Sequence, residues 1–108
     1  MPARAVHFAL ALKISEAVPV SKPAQLFRGN VSPDAIHMRS GMVRRDKRVT
    51  HLHLYDGALK LPDLPEAEAG EVWARALAYA RRGCASGDWF ALGYGTHVLA
   101  NIIWSRNY

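Results

Sequence analysis

Cysteine is almost missing from this chain. Cys84 is the single thiol in 108 residues, so no intramolecular disulfide can form, and a reducing, cytoplasmic setting is expected. Long apolar runs are missing too. None approaches the ~18 residues that would cross a bilayer, which argues against a membrane role. The run "AVHFALALKI" follows Arg4 but is interrupted by His7 and Lys13, which speaks against a secretory leader. Internal repeats and low-complexity tracts are absent, and the length suits one domain over residues 1–108. Half the residues are hydrophobic, which excludes intrinsic disorder as the native state. Acidic residues are scarce: nine Asp and Glu face fourteen Lys and Arg, for a formal charge of +5.

The surplus cations are clustered. Arg39, Arg44, Arg45, Lys47 and Arg48 fall within ten positions of one another. Such a group on a short loop attracts phosphates of single-stranded DNA or RNA, or is simply a solvated basic loop; the sequence leaves both open. The charge raises affinity for nucleic acid without selecting a sequence.

Hydrophobic periodicity predicts a mixed α+β fold. Val6, Phe8, Leu10, Leu12 and Ile14 alternate with His7, Ala9, Ala11 and Lys13, as in a strand over residues 4–14 with one face in the core. "QLFRG" reads as a second short strand. "SPDAIHMRSG" then carries helix signals: Ser32 as cap, Pro33 at the first position, Asp34 in the first turn and Gly41 beyond the end. Asp56-Gly57 predicts a type I′ turn in a β-hairpin at 49–61. In that register Leu52, Leu54, Leu59 and Leu61 share one face, while His51, His53, Tyr55 and Lys60 share the other. A main helix spans about 65–82, with a core stripe of Ala69, Val72, Trp73, Ala76, Leu77 and Ala80 and an end at Gly83. Residues 88–94 read as a strand, and 97–104 as a helix capped by Thr96 or a further strand. The expected architecture is a largely antiparallel sheet with the main helix packed on one face.

His51 and His53 carry the most specific chemical signal. Two residues apart on a strand, their imidazoles project side by side, roughly 6.5–7 Å apart at Cα. They can hold one divalent cation if a third ligand arrives from elsewhere. His7, on the non-core face of the first strand, is one candidate for that ligand; His37 and His97 are possible too, and the sequence does not rank them.

"VTHLHLY" resembles the His-hydrophobic-His strand of the HUH single-strand endonucleases, the family of rolling-circle replication initiators. A strand some forty residues upstream and a downstream helix bearing Tyr79 in "AYARR" follow the same order. The resemblance implies that His51 and His53 bind a divalent metal such as Mg or Mn, with His7 as a candidate third ligand from its place on the non-core face of the first strand. The metal polarises a scissile phosphate, and Tyr79 attacks it. It implies a nucleic-acid-acting, metal-dependent enzyme that nicks single-stranded DNA.

Other readings stand beside this one. Lys60 lies across from His53 in the hairpin, and two histidines with a lysine are the ingredients of a metal-independent ribonuclease. There one imidazole is base, the other acid, and Lys60 stabilises the phosphorane. "LFRGNVSPDAIHMRSGM" resembles the opening of enterotoxin-type ADP-ribosyltransferases, which implies an NAD-holding role for Arg28. Glu66 and Glu68, the only Glu-x-Glu, fall at a helix start, where acidic residues are expected anyway. A non-catalytic role is equally open: a protein-binding module or inhibitor using the basic surface, for example a phage protein lodged in a host nucleic-acid channel.

Overall fold

The computed structural model of the protein describes residues 4–38 and 66–107. Among these there is no strand. The chain forms α1 (Arg4–Ala17), α2 (Pro23–Val31), a 3-10 helix (Ser32–Met38), α3 (Glu66–Ser86) and α4 (Trp89–Asn107). The expected α+β class and its antiparallel sheet are therefore corrected to a helical bundle. The hairpin at 49–61 lies outside the described residues.

The alternation over residues 4–14 misleads for an identifiable reason. Alanine and leucine at consecutive positions satisfy a two-residue period, yet they are also the strongest helix formers and alanine is poor in strands. As a helix the segment buries His7 and Ala11 and half-buries Ile14 and Val18, a 4-3-4 spacing along one stripe. Phe8 and Leu12, assigned to a strand's core face, stand exposed instead. "QLFRG" belongs to α2, which begins at Pro23, where a missing N–H costs nothing. Ser32 does not cap the next element. It is itself helical, and its Oγ donates back to the Arg28 carbonyl at 2.6 Å, so α2 runs straight into the 3-10 turn.

The helix expected over 65–82 is α3, and its stripe of Val72, Ala76 and Ala80 is buried. It does not stop at Gly83. That glycine is buried inside the helix, which ends only at Gly87, where φ of 77° provides the left-handed residue that closes many helices. Asp88 then caps α4 by accepting the Ala91 N–H at 3.1 Å. Residues 88–94 are thus the first turns of a helix rather than a strand, and Thr96 lies in its interior.

α4 is the central element, touching α1, α2, α3 and the 3-10 helix. It is apolar nearly all round, as a helix enclosed on several sides must be. Val98 and Ile102 meet Val72 and Ala76 of α3, with Trp73 and Leu99 at the margin. Nearer its start, Trp89 and Leu92 join Leu26 and Ala80 over Ile14, Val18 and Val20. The Trp89 indole N–H is satisfied by Ser21 Oγ at 2.9 Å.

Two glycines set the α2–α4 distance. A methyl group on Gly29 would fall on the Phe90 carbonyl, and one on Gly93 would fall on the Leu26 carbonyl. The two backbones therefore lie against each other. That approach positions the site described next.

Candidate metal centre

One turn beyond Gly93, α4 presents His97 to the last turn of α2. A helix leaves its final carbonyls without intrahelical donors, and Asn30 is the penultimate residue of α2. The ring of His97 meets that carbonyl, with 2.6 Å between Nδ1 and the Asn30 oxygen. A carbonyl only accepts, so the hydrogen-bond pattern assigns the proton to Nδ1 and leaves the lone pair on Nε2 in the neutral ring. Nε2 in turn faces Oδ2 of Asp34 at 3.6 Å.

Asp34 is brought there by the 3-10 helix, which continues α2 and folds back toward α4; buried Pro33 anchors it. His7 arrives from α1. Its ring stacks on His97 with centroids 3.8 Å apart and planes within 6° of parallel. One ligating atom from each of His7, Asp34 and His97 lies within 4.8 Å of the other two. Both imidazoles are buried and the carboxylate is half-buried.

Beside this trio lies a cavity of ≈ 200 Å³, lined by His7, Asp34 and His97 together with Phe8, Asn30, Val31 and Ala35. The Asn30 side chain is fully buried, and neither of its polar atoms has a hydrogen-bond partner among the described residues. Burying an unsatisfied amide costs about 1–3 kcal/mol, so its retention next to a cavity calls for a reason.

Two imidazoles and one carboxylate form an N,N,O donor set for a borderline metal such as Zn²⁺, with a position left for water or ligand. Donors around such an ion stand roughly 3.3–3.5 Å apart, given metal–ligand bonds of about 2.0–2.2 Å. The His97–Asp34 separation is already close to that. Stacked rings hold their lone pairs side by side, so His7 has to turn its ring inward to complete the shell.

Of the residues singled out from sequence as candidate ligands, His7 and the alternative His97 enter this trio. His51, His53 and Lys60 lie outside the described residues, as do Arg39, Arg44, Arg45, Lys47 and Arg48, and the side chain of His37. Tyr79 is half-buried on α3, edge-on to Tyr94 at 5.8 Å, with the Arg82 guanidinium 5.4 Å over its ring. It does not border the cavity. Arg28 is exposed on α2 and ends no strand. Nothing among the described residues supports a nucleic-acid or endonuclease assignment. His97 stood only as an alternative third ligand, and Asp34 looked like an ordinary first-turn carboxylate. No local spacing announces either, because the three side chains come from well-separated parts of the chain.

No helix among the described residues is long and apolar enough to cross a membrane. Compared with known protein families, curated proteins and solved structures, the chain matches none.

Proposed function

We propose that this protein binds one divalent transition-metal ion through His7, Asp34 and His97. The observation that carries the reading is the hydrogen bond from His97 Nδ1 to the Asn30 carbonyl. A metal-ligating histidine characteristically donates its other ring N–H to a carbonyl or carboxylate, which fixes the tautomer and aims the ligating nitrogen. Here that nitrogen faces a carboxylate oxygen at 3.6 Å. A cation between them would bridge the two.

The donor chemistry narrows the ion. Two nitrogens favour Zn²⁺, Co²⁺, Ni²⁺ or Fe²⁺ over Mg²⁺, which prefers an all-oxygen octahedron. The ligands join α1, the 3-10 helix and α4, so binding energy becomes folding energy for the N-terminal helix. Affinity falls with acid, since protons compete for the same imidazole lone pairs.

The test is direct titration of the metal-stripped protein with Co²⁺, followed by its visible absorption. One equivalent is expected to saturate the spectrum, and His97→Ala to abolish it. A second reading is favoured by the 3.8 Å parallel stack alone. In it the two rings are a packed neutral pair holding α1 on α4, and Co²⁺ changes neither absorption nor thermal stability. That result would replace the metal reading.

A further inference from the structure

We infer that the cavity beside the metal centre receives a small monocarboxylate, one oxygen on the metal and the other on the Asn30 carboxamide, with an apolar body against Phe8, Val31 and Ala35. This rests on the metal reading above. Four observations converge on it.

Charge comes first. A divalent ion held by one carboxylate and two neutral imidazoles keeps a net positive charge. Its open position favours an anionic donor over a neutral one. The second observation is Asn30. Its carboxamide is fully buried, has no hydrogen-bond partner among the described residues, and belongs to a residue bordering the same cavity. A carboxylate bound to the metal through one oxygen leaves a second oxygen that can accept from the amide N–H₂. Thirdly, the remaining walls are apolar, being Phe8, Val31 and Ala35. They reward a hydrocarbon body and penalise a second charge. Finally, the volume of ≈ 200 Å³ sets the size. A cavity of about 150 Å³ holds benzene, so a body of roughly six carbons fits here.

No bond of the ligand is broken in this binding. The carboxylate displaces water from the metal, and the released water leaves through the cavity mouth.

The experiment uses the Co²⁺-loaded full chain, with benzoate and hexanoate as probes and benzamide as the uncharged control. Benzoate is expected to shift the Co²⁺ visible bands saturably, and benzamide to leave them unchanged. Asn30→Ala should weaken benzoate binding at least ten-fold while altering Co²⁺ affinity by no more than about three-fold, since hydrogen bonds to charged groups are among the stronger ones. Ala35→Phe, at an exposed position that tolerates bulk, should fill the cavity and weaken benzoate to the same extent.

If Co²⁺ binds but neither carboxylate moves its spectrum at ~10 mM, the inference is overturned and the metal site survives. Benzoate binding that ignores both substitutions overturns it as well, marking contact with the metal from solvent only. If Co²⁺ itself fails to bind, the metal reading falls first and the inference falls with it.

Discussion

α2 and α1 both pack on α4, and they do so in opposite ways. Between α2 and α4 the backbones touch: Gly29 sits under the Phe90 carbonyl and Gly93 under that of Leu26, with Leu26 itself fully buried between them. α1 approaches α4 through far less surface. It offers Ala11, Ile14 and the His7–His97 stack inward, reaches α2 through the Phe8–Phe27 ring contact at 5.9 Å, and leaves Val6, Phe8 and Leu12 substantially exposed. One contact is built from main chain and cannot relax. The other is built from side chains, and the proposed metal ligand His7 is among them. The bundle therefore divides into a fixed part, which carries His97 and Asp34, and a more loosely attached helix, which carries His7.

The sharpest way to break this contrast is to add bulk where the backbones meet. Gly29→Val forces α2 away from α4 and should cost more than about 3 kcal/mol, enough to leave little folded protein in urea denaturation followed by circular dichroism. If Gly29→Val unfolds with a near wild-type midpoint, the close crossing is wrong. Leu26→Ala leaves a hole in the same layer and should cost about 2–5 kcal/mol, without the backbone clash. Adding Zn²⁺ at ~100 times its dissociation constant should raise stability by about 2.7 kcal/mol. Its distribution matters more than its size. Amide exchange should slow most in α1, because His7 is its tie to the fixed part, whereas α3 should change little. Uniform slowing across all helices would erase the distinction between the two regions. Leu12→Ser, on the exposed side of α1, should move stability by no more than about 0.5 kcal/mol.

What the sequence made legible follows the same division. α3 could be read because its apolar residues recur at helical spacing, its start is acidic and its face is one-sided. α4 could not, since a helix enclosed on several sides loses its polar face and its period with it. Its glycines then look like turn residues. In "GYGTH" they instead mark where α2 and α3 come close, Gly95 sitting against the Ala76 carbonyl. α1 failed through ambiguity: alternating alanines and leucines satisfy a strand's two-residue period, although their propensity favours the helix that forms. The site was partly legible. His7 could be named as a candidate ligand from the non-core face of an expected strand, but the segment is a helix and His7 lies on its buried side. His97 could be named only as one of several alternatives, and Asp34 joined it only when the 3-10 helix and α4 were placed together.

The smallest effect concerns the α3–α4 face, and it tests whether that side is as closed as the crossing with α2. Tyr94 is half-buried on α4, beside Phe90 and edge-on to Tyr79. Burial pushes its phenol above the ordinary value of 10.0, and the neighbouring Tyr79 phenol adds to the shift. The fold thus holds Tyr94 neutral where an unfolded chain would ionise it. Below about pH 10 both states carry the proton and stability is unaffected. As pH rises past that point the unfolded chain loses its proton first, so stability declines until the folded phenol also ionises. Tyr94→Phe should flatten this alkaline decline, whatever it does to stability at neutral pH, when urea midpoints are compared between pH 8 and pH 11. An equal slope in both proteins would mean that water reaches the phenol freely, and that α3 lies more loosely on α4 than α2 does.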